Sequence, residues 1–175
     1  MPPRCLSRQH QYGATLVELV MTIVIISIAI AGVVGAFSLI VGRSADPLNQ
    51  SRAVSLSQLY MDEILAKKFA ESSPVGGGKV YSSSAANCGN LGADGSESRA
   101  TYNDVDDYNE LNNVSPENSE SDPLSGYTAF LVSVSVRCAG SELGFAENYQ
   151  AKRIDITIVD PSDNSYLFSA YRGNF

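Results

Sequence analysis

From Leu19 to Gly42 the chain runs for 24 residues without a charged side chain, LVMTIVIISIAIAGVVGAFSLIVG. A helix of that length measures about 36 Å at about 1.5 Å per residue, enough to cross a hydrocarbon core about 30 Å thick. Thr22, Ser27 and Ser38 are its polar interruptions, and Arg43 ends it. A chain with such a segment is not expected to be a wholly cytosolic enzyme. The charge around the run is lopsided: Arg4, Arg8 and His10 precede Gly13, whereas all 19 acidic residues follow it. Without the first 13 residues, ten basic side chains would face 19 acidic ones, a net charge of −9. Such a surface repels phosphate, so no direct nucleic-acid partner is expected.

An ordinary secretory signal accounts for the basic stretch from Pro3 to Gln11 but not for the 24-residue run. Its apolar region spans only about 7–15 residues and leads to a small-residue cleavage site. A lipoprotein signal does not fit either, since Cys5 precedes the apolar run instead of following it. A plain single-pass anchor fits the run but leaves Gly13-Ala14-Thr15-Leu16-Val17-Glu18 unexplained. Glu18 is the costly residue there, because acidic side chains are disfavoured by about 2.5–3.5 kcal/mol at mid-bilayer.

A Gly, an apolar residue, Thr, two aliphatics and Glu, set directly before a long apolar run, resemble the type IV prepilin cleavage and methylation motif. The family usually carries Phe where Ala14 stands. The resemblance implies cleavage after Gly13 by a prepilin peptidase and N-methylation of Ala14. It also implies a single pass through the bacterial inner membrane with the C-terminal part in the periplasm, followed by assembly into a pilus or pseudopilus. The physics of Glu18 agrees. Cleavage creates a positive amine on Ala14, four residues away, and in a stack of helices one subunit's Glu18 can reach its neighbour's amine. Paired charges in a low dielectric are tolerable where a lone one is not, so the pair favours one axial register.

Beyond the run, Asp46-Pro47 reads as a helix restart, with Asp46 as N-cap and Pro47 in the first helical position. Helical periodicity then carries Val54, Met61, Ile64, Leu65 and Phe69 on one stripe and Leu56, Leu59 and Tyr60 on another. Ser72–Gly78 ends that helix, and Ser82–Pro123 is a long stretch rich in Ser, Asn, Asp and Gly, the mark of a functional or mobile loop. Three segments alternate apolar and polar residues with a period of two, Tyr127–Cys138, Lys152–Val159 and Tyr166–Tyr171, as strands of an antiparallel meander do. The expected class is therefore α+β: a leader over 1–13, a transmembrane and assembly helix over 14–43, and an exported domain over 44–175. Within that domain an amphipathic helix (47–70) is expected to pack on an antiparallel sheet (126–175), with a polar loop (72–125) between them.

A long N-terminal helix laid on an antiparallel sheet is the type IV pilin fold. The segments LIVGRSADPLNQSRAVSLSQLYMDEILAKKF and NDVDDYNEL also look like minor pilins of the mannose-sensitive haemagglutinin (MSHA) pilus, which implies a Gram-negative envelope. The implied partners are the prepilin peptidase, the major pilin, other minor pilins and the inner-membrane pilus assembly machinery. A pseudopilin of a type II secretion system, and a membrane-anchored binding domain, remain as alternative readings.

Cys5 would leave with the leader, while Cys88 and Cys138 lie in the part bound for an oxidising compartment and are expected to pair. His10 is the only histidine and precedes Gly13, so Ser–His and Cys–His nucleophile pairs are not available to the mature chain. Gly76-Gly77-Gly78-Lys79 lacks phosphate-loop spacing. The expectation is a structural protein without cofactor or catalytic residues. Asp104, Asp106, Asp107 and Asn109 are dense enough in oxygen to hold Ca²⁺, but they match no EF-hand spacing, and a solvated turn or subunit contact is the expected role.

Overall fold

The computed structural model describes the backbone of residues 15–175 and the side chains of 15–38 and 47–175. Two units divide the chain, one ending at Ala45 and the other spanning Asp46–Phe175.

One helix, α1, runs from Leu16 to Ala66 with Pro47 inside it. The break expected at Asp46-Pro47 is absent: the helical backbone continues through the proline. Proline removes one hydrogen bond at this point, but packing of the following turns onto the sheet keeps them helical. The helix also stops at Ala66, short of residue 70, because the next residues pair elsewhere. The Lys68 N–H bonds the Asn103 carbonyl at 3.3 Å, and the Val105 N–H bonds the Lys68 carbonyl at 3.1 Å.

In the Asp46–Phe175 unit three antiparallel strands follow in the order β1 (Leu131–Cys138), β2 (Ala151–Val159) and β3 (Ser165–Gly173). Their register lines up the inward residues in rows: Val132 with Ile158 and Tyr166, Val134 with Ile156 and Phe168, Val136 with Ile154 and Ala170. Apart from Ala170, the residues of these rows meet Ala53, Leu56, Tyr60 and Ile64 of α1 in one core. The buried helical stripe thus advances by three or four residues from Ala53. It takes members from both stripes read in the sequence and leaves Val54 and Leu59, 36% and 42% exposed, on the outside.

The polar stretch is built into the same core. Tyr102, Val105, Tyr108 and Leu111 are buried against the helix and the sheet. The Tyr60 hydroxyl donates to the Glu117 carbonyl at 3.0 Å and accepts from the Glu117 N–H at 2.9 Å. Cys88 and Cys138 form a disulfide with Cα atoms 5.6 Å apart, 50 positions apart in sequence, which fastens this stretch to the end of β1. Cys88→Ser is expected to destabilise the unit by about 2–5 kcal/mol. Denaturant titration of both proteins without reductant checks this, and a change below about 1 kcal/mol would leave the bridge without a stabilising role.

Candidate functional site: the capped apolar helix

Gly13 and Ala14, the expected cleavage and methylation positions, lie outside the described residues. Thr15 stands just before α1. Its Oγ1 accepts a hydrogen bond from the Glu18 N–H at 3.3 Å, and its carbonyl accepts one from the Leu19 N–H at 3.1 Å. Thr15 is therefore the helix N-cap and Glu18 the third helical residue, the T-x-x-E spacing of a capping box. The Glu18 carboxylate falls in the first turn, where the helix dipole favours negative charge. The sequence reading gives Thr15 no role beyond the motif, although its spacing from Glu18 is the signal that identifies the cap.

Every residue from Thr15 to Ser38 is exposed, and Leu16–Ser38 is long and apolar enough to cross a membrane. Ile23, Val24, Ile25, Ile26 and Ile28 are each more than half exposed, so the apolar surface goes all the way round. Such a helix needs an apolar medium or neighbouring helices. Its polar side chains do not oppose this. The Thr22 hydroxyl donates to the Glu18 carbonyl at 2.6 Å, Ser27 to Ile23 at 2.7 Å and Ser38 to Val34 at 3.0 Å. Each hydroxyl is satisfied one turn back along its own helix, which is what a lipid environment requires.

Residues 8–34 match the prokaryotic N-terminal methylation motif. The chain carries a type IV prepilin-like signal. The motif, the apolar helix after it and the α+β unit are together consistent with a type IV pilin-like fold. No curated protein and no solved structure matches the chain.

The acidic cluster of the loop is a buried scaffold, not the solvated turn expected. Asp104, Asp106 and Asp107 are each 1% exposed. Asp104 Oδ1 accepts from the Asp106 and Asp107 N–H groups at 2.7 and 3.4 Å, and Asp107 Oδ2 accepts from Asn103 and Asp104 at 2.7 and 3.0 Å. Asp106 faces Lys152 of β2, whose Nζ lies 2.6 Å from Oδ1 and 2.7 Å from Oδ2. The same ammonium donates to the Phe69 carbonyl at 2.6 Å and sits 4.5 Å from the Phe69 ring centre. Burial pushes Asp106 up to about 7 against the pull of Lys152. Burial likewise raises Asp107 to about 6 against its two backbone donors. The three carboxylates do not converge on one point. Among the described residues the acidic oxygens that gather within 4.8 Å belong to Glu71, Asp94 and Asp104. Asn109 turns away, donating to the Leu91 carbonyl and accepting from the Val136 N–H.

A second buried pair ties the loop to α1. Arg99 Nη1 and Nη2 each donate to a Glu63 oxygen at 2.6 Å, and the Tyr108 hydroxyl donates to Glu63 Oε1 at 2.7 Å. The guanidinium lies 5.4, 5.9 and 5.0 Å from the rings of Tyr60, Tyr102 and Tyr108. Burial pushes the Glu63 carboxyl up, but the hydrogen bonds from Arg99 and Tyr108 outweigh it and hold the group below the ordinary range.

Proposed function

We propose that this chain is a minor, pilin-like structural subunit without catalytic activity. It is made as a precursor in the bacterial inner membrane, cut after Gly13 by a prepilin peptidase, methylated on Ala14 and drawn into a type IV pilus through α1. The observation that carries the reading is the methylation motif leading directly into a capped helix whose apolar surface is uncovered on every side. The finer assignment, to the minor subunit MshD of an MSHA-type pilus with the major pilin and other minor pilins as neighbours, is supported by the likeness of Leu39–Phe69 and Asn103–Leu111 to such subunits. The deciding experiment is the mass of the N-terminal peptide of envelope-purified protein. A start at methylated Ala14 is expected, and a start at Met1 sinks the proposal. Loss of surface pili on deletion, with protein secretion intact, would separate a pilus subunit from a type II secretion pseudopilin.

Glu18 gives a second test. A carboxylate paired with a neighbour's amine stabilises only the assembled state, because a lone subunit has no neighbour. Glu18→Ala is therefore expected to keep its membrane content while its cross-linking to the major pilin falls several-fold. A Glu that merely reaches for headgroups and water is satisfied in both states, so unchanged cross-linking would remove Glu18 from assembly.

A further inference from the structure

The two edges of the sheet are finished differently. At the β1 edge the outward N–H groups of Val132, Val134 and Val136 bond the Val114 carbonyl, the Leu111 carbonyl and Asn109 Oδ1 at 2.9, 2.8 and 2.8 Å. The β3 edge has no such cover. There the bonds from the Asp160 N–H to the Asn164 carbonyl and from the Asn174 N–H to the Gln150 carbonyl fix the alternation of the ladder. Even-numbered residues of β3 bond β2, and the backbone groups of Ser165, Leu167, Ser169 and Tyr171 point outward. Among the described residues none of these groups has a hydrogen-bond partner. Lys, Pro and bulges, the usual devices that blunt an open edge, are missing from this strand. Its helix-facing side is unfinished too. Ile154, Ile156 and Ile158 of β2 are fully buried, whereas their β3 neighbours Ala170, Phe168 and Tyr166 are only half-buried. Charge gathers at one end of the edge. Beyond Tyr171 lies a cleft lined by Lys67, Lys68 and Arg172 with Phe69, Val75 and Phe175, and by no acidic residue. Lys67 donates to the Tyr102 carbonyl at 2.7 Å and Lys68 lies 4.0 Å from Glu71. The Arg172 guanidinium has no hydrogen bond or ion pair among the described residues, although its Nε is buried. A buried donor without an acceptor, in a chain with 19 acidic residues, calls for a partner.

We propose that the β3 edge receives an extended segment of another protein, added as a fourth strand antiparallel to β3, with an acidic side chain opposite Arg172. Main-chain hydrogen bonds to Leu167, Ser169 and Tyr171 hold such a segment, and its side chains set the choice of partner. Arg172 then falls in a non-hydrogen-bonded pair, whose Cα atoms lie about 4.5 Å apart with their side chains on the same face. An acid in that place meets the orphaned guanidinium at the mouth of the basic cleft. Apolar residues opposite Ala170, Phe168 and Tyr166 cover the half-buried side of β3, and the residues between them face outward beside Leu167 and Tyr171. The recognised pattern is therefore one acidic residue followed by apolar residues at every second position. The antiparallel direction is the slightly more stable one, and charge agrees with it. The acid stands at the N-terminal end of the segment, and a basic residue at its C-terminal end comes beside the turn that carries exposed Asp163. A bare strand brings no second apolar helix with it, so the orientation of α1 is untouched. The addition does not depend on the reading of the N-terminal motif.

Fluorescence anisotropy of a labelled peptide, with the full chain in detergent micelles, tests it. The probe is Glu-Thr-Val-Ser-Val-Thr-Val-Lys, whose Glu falls opposite Arg172 and whose central Ser falls opposite Ser169. Saturable binding is expected. A methyl group on the nitrogen of that central Ser removes a main-chain donor and thrusts a carbon at β3, so binding should fall by about tenfold or more. This arm leaves the protein itself unaltered. Replacing the peptide's Glu by Lys should weaken binding to the parent chain several-fold. Arg172→Glu should reverse that order and bind the Lys peptide more tightly than the Glu peptide, with the Cys88–Cys138 bridge formed as in the parent. Three results overturn the proposal: no saturable binding up to about 1 mM peptide, equal binding of the methylated and unmethylated peptides, or an Arg172→Glu chain that still prefers the Glu peptide.

Discussion

Replacing Lys152 by Met is expected to destabilise the Asp46–Phe175 unit by about 3–5 kcal/mol at neutral pH, the usual cost of leaving one member of a buried ion pair alone. Lys152 is 0% exposed and Asp106 1%, so neither can turn to water when its partner is removed. Removing the ammonium also frees the Phe69 carbonyl at the point where the chain leaves α1. The double variant Lys152→Met with Asp106→Leu should recover most of the loss, because well-packed apolar pairs replace buried ion pairs at little or no cost.

The pH dependence gives this prediction a distinct signature. An unfolded aspartate ionises near pH 4, whereas burial raises Asp106 to about 7 in the fold even though Lys152 pulls it down. A carboxyl raised in this way contributes stability below its unfolded value, and that contribution is lost as the pH rises through 7. Without Lys152 the downward pull is gone, the folded value climbs further, and the loss continues above pH 7 at about 1.4 kcal/mol per pH unit. Denaturant titrations at pH 5, 7 and 8 should therefore show a gap between Lys152→Met and the parent that changes little from pH 5 to 7 and widens from pH 7 to 8. A gap that is constant with pH, or below about 1 kcal/mol throughout, would mean that Lys152 acts by packing alone.

The elements that periodicity governs are legible in the sequence. Val132, Val134 and Val136, and Ile154, Ile156 and Ile158, alternate inward as their spacing of two demands. The apolar helix is equally plain, since 24 uncharged residues leave few other readings. The stretch from Ser82 to Pro123 is not legible, and the reason is physical. Its place in the core depends on charged residues that find partners far away in the chain: Arg99 reaches Glu63 across 36 positions and Asp106 reaches Lys152 across 46. Composition makes such residues look solvated, because a charge is buried only when it is paired, and a pairing over that distance leaves no local pattern. Glu63 resembles part of the wet face of its helix for the same reason. The helix stripe misleads more narrowly: Ala53 and Ser57, both buried, are too small to mark a face by hydrophobicity.

Gly13→Val is expected to stop maturation almost completely. The proposed cut lies between Gly13 and Ala14, and a peptidase acting there must bring catalytic groups against the backbone on both sides of that bond. Glycine presents no Cβ there and gives its backbone free choice of conformation. Valine adds two branches at Cβ and restricts the backbone beside them. The uncut chain would keep Arg4 and Arg8 ahead of the apolar run, and positive residues on that side hold the segment with its N-terminus in the cytoplasm. It would also keep the Ala14 nitrogen inside an amide, so no positive amine would form and Glu18 of a neighbour would have nothing to pair with. Two consequences separate this from a general folding defect. The variant should accumulate in the membrane at the full 18.7 kDa, with the Cys88–Cys138 bridge formed as in the parent. Glu18→Ala, in contrast, should mature normally and fail only at assembly. Immunoblots of membrane and shed-pilus fractions, with the mass of the N-terminal peptide, read both outcomes. If Gly13→Val yields a chain beginning at methylated Ala14 in amounts near those of the parent, the motif is not a processing site, and the apolar helix is a plain anchor.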